Sequence, residues 1–297
     1  MASGKENIER AVPNPGETGD VTRDYSNGAA YVNTSSAFAP KFVSADYPGC
    51  VFLWNADSVP FDGSRQIIDL AGGVVVESST DNTFSRSSDG KGVETGNETG
   101  GDILTVSTGS PGLPTLGTNN ALLILVGQKH ASSDPFFEIG NTTNGTGIYG
   151  SCRGGAGQES WFSSNGASDY VSTATPLAAS TDAAGSIIAG ACSLNRAAIT
   201  EAATFRDYRS YADGSELVGA GAVTGTTIDW NSGSIVQYVG STYDMAINWG
   251  TTVYLCAVFH SADAAMLADS TIFTALAWMR ANPGELWPGF MSMTAAA

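Results

Sequence analysis

Residues 229–290, DWNSGSIVQYVGSTYDMAINWGTTVYLCAVFHSADAAMLADSTIFTALAWMRANPGELWPGF, constrain the fold more than any other stretch of this chain. Two apolar runs, residues 234–240 and 251–260, flank a connection containing Gly and Asn. Their Val, Ile, Tyr and Phe content reads as paired strands, because branched and aromatic side chains fit a pleated surface. Ser261-Ala262-Asp263 follows as a helix N-cap with an acid in the first turn, where backbone N–H groups lack partners. The Ala-, Leu- and Met-rich segment running to Arg280 predicts one or two short helices. Asn282-Pro283 ends them, since the residue before a proline is pushed out of the α region. Leu286-Trp287-Pro288 then supplies apolar surface that can fold back onto the body.

The remaining chain is rich in turn formers. Its 36 glycines and charged fraction of only 14% favour many short strands over long surface helices, which need more Lys, Glu and Arg. At 297 residues it can form one large β domain or two smaller ones. Asp and Glu number 29 against 13 Lys and Arg, a formal charge of −16. Such a surface repels nucleic acid and anionic membrane, so neither is an expected partner. It favours solubility at high local concentration and would suit a basic protein surface.

Cys50, Cys152, Cys192 and Cys256 are widely dispersed, with no Cys-x-x-Cys. Three of them, Cys50, Cys192 and Cys256, sit in apolar runs, where a free cysteine behaves as a small buried hydrophobe. Free thiols are therefore expected rather than disulfides. The opening Met-Ala-Ser-Gly-Lys-Glu-Asn has no apolar core, so neither a signal peptide nor a lipid anchor is expected. No apolar run approaches the length of a membrane span. The expectation is a soluble product of the cytoplasm.

Residues 1–44 differ from the rest. They are polar, carry Pro13, Pro15 and Pro40, and show neither helical nor strand periodicity over most of their length. Alone, such a segment buries too little apolar surface to offset its ordering entropy. It reads either as a disordered leader or as an arm that orders on a neighbouring subunit, with Tyr25, Tyr31 and Phe38 as anchors.

Residues 49–54, GCVFLW, read as a strand leading into Asn55-Ala56-Asp57. Asp62-Gly63 marks a turn, and an apolar segment over 65–70 meets Asp69-Leu70-Ala71-Gly72. Residues 90–96 and 102–106 read as a Gly-rich turn feeding a strand. The uninterrupted run NALLILVGQ, 120–128, predicts a strand buried on both faces. Residues 136–140 and 147–150 lie at hairpin spacing around NTTNGT, in which Asn144-Gly145 tolerates positive φ. Residues 160–162 and 169–171 extend the meander. SIIAGACS, 186–193, is a further strand, and FRDYRSYADGS, 205–215, reads as a strand ending in a turn at Asp213-Gly214. Turns recurring about every eight to twelve residues fit a β-sandwich.

In this order, the Trp54-Asn55-Ala56-Asp57 element, the Asp69–Gly72 turn, the 186–193 strand, Tyr211-Ala212-Asp213-Gly214 and the strand–helix–Asn282-Pro283 ending resemble laminin-G-like, concanavalin A-like jelly rolls. The resemblance is closest to versions among tailed-phage and prophage structural proteins, and spans about residues 45–290. Such tails often carry tryptophan where this chain has Gly284. The resemblance implies an all-β fold: a concanavalin A-like (laminin-G-like) β-sandwich jelly roll over residues 45–297, with a short C-terminal helix and an extended N-terminal arm over residues 1–44.

Chemistry is sparsely signalled. The two histidines, His130 and His260, stand far apart with no thiol cluster, so no transition metal is expected. Asp134, Glu138 and Asp244 lie in candidate loops, yet no Asp-x-Asp-x-Asp-Gly calcium loop exists, and surface turn carboxylates account for them. The fold is shared with glycanases, whose laminarinase-type members carry Glu-x-Asp-x-x-Glu. This chain has none: Glu94, Glu138, Glu159 and Glu201 each lack a carboxylate two positions on. There is no Gly-x-Ser-x-Gly elbow, and Arg153-Gly154-Gly155-Ala156-Gly157-Gln158 lacks the Gly-Lys-Ser/Thr of a phosphate loop. His260 reads as a helix-entry residue, and Arg206-Asp207-Tyr208-Arg209 as a solvated strand face. No catalytic residue, cofactor or metal ligand is therefore assigned.

The phage resemblance implies a non-enzymatic virion structural protein, made in the host cytoplasm and incorporated into the virion. A capsid decoration or cement protein is expected foremost, binding the major capsid protein or other virion proteins as a homo-oligomer. Tyr25, Tyr31, Phe38, Trp287 and Phe290 are its expected interface anchors. A glycan- or receptor-binding adhesin of a tail or head fibre is the alternative, with a host surface glycan as partner. Trp161, Trp230, Tyr243 and Trp249 would stack on sugar there, with Asn165, Asn231, Asn248 and Asp244 nearby, although core packing explains most such aromatics in a sandwich. A glycan-cleaving enzyme is the third reading.

Overall fold

The computed structural model describes residues 21–24, 30–33, 42–78, 83–95, 104–107, 110, 120–129, 136–140, 149–153, 161–165, 169–173, 182–195, 205–214, 216–224, 252–260 and 264–293. The chain divides into two compact units, Met1–Val43 and Ser44–Ala297.

In the first unit, β1 (Val21–Asp24) and β2 (Ala30–Asn33) form an antiparallel hairpin, with Arg23 opposite Tyr31. Four-residue strands are too short to register as periodicity in a polar segment, which is why the sequence reads as an unpaired arm.

The second unit opens with a 3₁₀ turn, Ser44–Asp46, and β3 (Cys50–Trp54). After it come β4 (Gln66–Ile68), β5 (Val75–Ser78), β6 (Phe84–Arg86), β7 (Val93–Thr95) and β8 (Leu104–Val106). The long central strand is β9 (Ala121–Gln128), followed by β10 (Phe136–Gly140), β11 (Tyr149–Arg153), β12 (Trp161–Asn165) and β13 (Asp169–Thr173). The chain then forms β14 (Ile187–Leu194), β15 (Phe205–Ser210), β16 (Glu216–Thr224) and β17 (Val253–His260). One helix, α1 (Asp269–Ala281), and two further 3₁₀ turns, Ala56–Ser58 and Pro288–Ser292, complete the described elements.

Among the described residues, twelve strands join one sheet in the order β10-β11-β12-β13-β16-β15-β14-β9-β17-β7-β6, with β3 also paired to β17. A second sheet of this unit runs β4-β5-β8. Every described pairing is antiparallel. The chain thus has the all-β, sandwich-type fold with a short C-terminal helix that its sequence implies.

The core lies where β9, β14 and β17 run side by side. Cys192 of β14 sits opposite Leu123 of β9, which sits opposite Val258 of β17. All but the last residue of β9 are buried, as its unbroken apolar run predicts. Burying each Leu, Ile or Val there contributes about 1.5–3 kcal/mol. Both faces are covered. Ala257, Ile124, Ala191 and Tyr208 share one row by register, and α1 lies on that side, where the Phe273 ring meets Tyr208 edge-on at 5.4 Å. On the other side the sheet curls until β11 packs against β9 and β14, strands to which it is not hydrogen-bonded.

The C-terminal segment differs from expectation at one end only. Helix α1 begins at Asp269, after a turn anchored by fully buried Met266, rather than directly behind Ser261-Ala262-Asp263. Ala268 at the N-cap makes no side-chain bond, and Asp269 supplies the first-turn acid. Asn282 ends the helix as predicted, its backbone N–H and Nδ2 both donating to the Trp278 carbonyl at 2.9 Å. Among the described residues, no helix is long and apolar enough to cross a membrane. No disulfide joins Cys50, Cys192 and Cys256; Cys152 lies in β11, where side chains are outside the description. The expected strand over 234–240 also lies outside the described residues.

Candidate functional site

Strand β15 carries the most concentrated polar chemistry in the described structure. Asp207 and Arg209 stand two positions apart, hence on one face, and form an ion pair with both side chains fully buried. Arg209 Nη1 also donates to the Tyr208 carbonyl at 2.9 Å. The sequence reads this stretch as a solvated face, and the structure corrects that. Alternation along a strand cannot reveal that its polar row is closed off from water, and here neither side chain has any exposure. Desolvating two ions costs several kcal/mol each, which close pairing repays only as long as both partners remain. A carboxylate neutralised by a guanidinium in a closed interior is held, not poised to move a proton.

The alternate row of β15 faces the helix. Tyr208 Oη donates to Asp269 Oδ1 at 2.7 Å, tying the strand to the first turn of α1. Burial, reinforced by the acceptor carboxylate of Asp269, pushes the Tyr208 hydroxyl above its usual pKa. Ser210, in the same row, is buried and its Oγ has no hydrogen-bond partner among the described residues.

A second buried acid is architectural. Asp69 Oδ1 accepts from the backbone N–H of Leu53 at 2.7 Å and of Ala71 at 2.9 Å, while Oδ2 accepts from Gly72 at 2.6 Å. It thereby joins β3 to the turn after β4. Burial raises the Asp69 pKa, and those backbone hydrogen bonds oppose the rise. A Cβ on Gly72 would lie only 2.9 Å from Asp69 Oδ2, so glycine is required by the close approach.

The C-terminal tail forms a clasp on the body. Asn55, beyond β3, uses both ends of its amide: Oδ1 accepts from Asp57 N–H at 2.9 Å, and Nδ2 donates to the Gly284 carbonyl at 2.9 Å. Tyr47 Oη donates to the Leu286 carbonyl at 3.2 Å. Gly284 has φ +86° and is pressed against Lys91, where a Cβ would overlap the carbonyl oxygen. That contact and the positive φ account for glycine at this position. Phe290 is fully buried, its ring 5.0 Å from Phe259 of β17 and 5.0 Å from the half-buried Trp287.

The expected interface anchors therefore separate. Phe290, proposed from sequence to contact a neighbour, instead fills the chain's own core, because the tail folds back onto β17. Trp287 packs on it from the surface. Tyr31 lies in the first unit's hairpin, while Tyr25 and Phe38 fall outside the described residues. Of the expected sugar-stacking residues, Trp161 is placed in β12 opposite Ser151 and Ser172, and Trp230, Tyr243 and Trp249 fall outside the described residues. Asn55, Tyr47 and Asp69 were not identified as structural residues from sequence. The Asn55-Ala56-Asp57-Ser58 capping pattern was the local signal for Asn55, and the Asp69–Gly72 turn the one for Asp69.

Among the described residues, no group of three or more His, Cys, Asp or Glu is arranged to hold a metal ion. Glu94 accepts from Thr252 Oγ1 at 3.1 Å, and Glu77 accepts from Gln66 Nε2 at 3.3 Å and Ser107 Oγ at 3.2 Å. His260 closes β17, its N–H donating to the Gly49 carbonyl at 2.8 Å.

No protein-family model matches the chain, and no curated protein matches it. Among solved structures it is similar to a Trypanosoma rangeli sialidase in complex with sialic acid, at 12% identity and a TM-score of 0.46, over 77% of this chain and 33% of that one. It is also similar to the binding domain of botulinum neurotoxin serotype D/C, at 11% identity and a TM-score of 0.41, over 79% of this chain and 53% of that one. The chain thus spans between a third and about half of these neighbours' lengths. Likeness at this level carries no argument about activity.

Proposed function

We propose that the protein is a non-enzymatic virion structural component, a decoration or cement protein of a tailed-phage head. The observation that carries the reading is the closing element of the fold. Strand β17, helix α1 and the Asn282-Pro283 tail form one continuous unit clasped to the body, and this is the element whose sequence resembles phage structural jelly rolls. The acids of the described interior are engaged by backbone N–H groups or by Arg209, which accords with a scaffold rather than a proton-transfer site.

Because the tail is occupied by its own body, docking falls to the first unit. Charge supports that division. Residues 1–43 carry four Lys/Arg against five Asp/Glu, a net −1, whereas residues 44–297 carry nine against 24, a net −15. Body surfaces that acidic repel one another on a crowded particle, while a nearly neutral segment can approach a neighbour. Repeated weak contacts by symmetry-related copies then add to firm attachment. The test is a chain lacking residues 1–43, added to heads stripped of the protein. The reading expects the body to fold and its retention on heads to fall at least tenfold. Undiminished retention would overturn it.

A glycan-binding module is a second reading, favoured by the register of β11–β13. Tyr149, Ser163 and Tyr170 fall in one row, and Ser151, Trp161 and Ser172 in another of the same face. Aromatic and hydroxyl residues in alternation are suited to sugar recognition. Under this reading the chain without residues 1–43 keeps saccharide binding, and Trp161→Ala loses it on a glycan array.

A further inference from the structure

The clasp gathers three chain segments that are distant in sequence, and one of them is the entry to the body. Ser44 is the first residue of the second unit. The 3₁₀ turn that follows is closed by Tyr47 N–H to the Ser44 carbonyl at 3.1 Å, and Cys50 N–H returns to the Tyr47 carbonyl at 3.1 Å to begin β3. Tyr47 is buried, and its hydroxyl bonds the tail at Leu286. At its far end β3 is held to the same tail through Asn55 and Gly284. Along its length β3 pairs with β17, from Trp54 opposite Cys256 to Cys50 opposite Phe259, with a register shift between Val258 and Phe259. The ladder is thus irregular at the end nearest Ser44. There the tail adds the Tyr47–Leu286 bond.

We propose that residues 282–290 act as a clasp that fixes the position at which residue 44 leaves the body. The tail thereby serves attachment indirectly, by ordering the opening segment of the second unit, and not as a docking surface. Its consequence for attachment rests on the docking reading above; the clasp itself does not.

Two features make the device specific. Gly284 needs both its positive φ and its missing Cβ to reach the Lys91 backbone, so the tail has a single seat. Phe290 locks that seat through Phe259, a neighbour in chain order of His260, whose N–H bonds the Gly49 carbonyl. Opening the tail therefore removes the Tyr47 and Asn55 bonds together, at the two ends of one strand.

Amide hydrogen exchange on the full chain tests this without any particle. Tyr47→Phe keeps the ring and removes the bond to Leu286. Exchange should rise about fivefold, the equivalent of one net hydrogen bond, in peptides covering 44–50 and 284–290 together, while peptides covering 121–128 stay unchanged. Gly284→Ala should produce the same paired rise more strongly; should that variant fail to fold, Tyr47→Phe still decides. Unchanged exchange over 44–50, or an equal rise over 121–128, would overturn the clasp. Loss of head retention by the chain lacking residues 1–43 is read separately, so failure of docking and failure of the clasp are distinguishable.

Discussion

Three backbone N–H groups, of Leu53, Ala71 and Gly72, share the Asp69 carboxylate as acceptor. Asp69→Ala leaves all three without it, at about 1 kcal/mol each, so we expect a loss of about 3 kcal/mol in chemical denaturation. The Asp207–Arg209 pair predicts a different pattern. Arg209→Met removes the cation from a buried carboxylate and should cost about 3–5 kcal/mol, whereas Asp207→Leu combined with Arg209→Met should recover most of that loss. A double-mutant cycle measures the difference, and equal losses from the single and double variants would contradict it. The turn at Asp69–Gly72 was legible as a turn, because Asp and Gly are turn formers. Its three-fold acceptor role was not, since the N–H donors come partly from Leu53, sixteen positions away. The buried pair was misread for a related reason: polar residues two apart look alike in sequence whether they face water or the protein interior.

At the scale of elements, strands with unbroken apolar content were the most legible. The NALLILVGQ and SIIAGACS runs gave β9 and β14, and residues 251–260 contain β17. Local breakers also read well, as Asn282-Pro283 does at the end of α1. The helix start did not, because Ser261 offers a strong N-cap signal while the true N-cap, Ala268, offers none. What decides the start is tertiary, the burial of Met266. The tail was foreseen as apolar surface able to fold back, yet its Phe290 was also assigned to a neighbour, a conflict that sequence cannot resolve and burial does. Phe290→Ala should therefore cost about 3–5 kcal/mol of stability in the isolated protein, as expected for emptying a core aromatic site. A thermal unfolding midpoint unchanged from the parent chain would show that the ring is not a core residue.

For the whole molecule, three tyrosines make stability sensitive to alkali. Tyr47, Tyr208 and Tyr254 all sit above the ordinary value of 10, each raised first by burial and then by neighbouring acids. The fold favours their neutral forms, so this contribution is fully present below pH 10 and is lost as pH rises, passing through Tyr254 near 12. The unfolding midpoint should fall over that interval in step with tyrosinate absorbance, and Tyr254→Phe should blunt the fall. A flat profile up to pH 12 would contradict the burial of these hydroxyls.

The division of charge between the units leads to the claim that matters most, that this acidic body is displayed on a phage head. The most direct measurement is copy number in purified particles, by quantitative mass spectrometry against the major shell protein. The account predicts a number comparable with the shell lattice. A handful of copies per particle would contradict decoration and favour a fibre adhesin, and absence from the particle would contradict a virion role altogether.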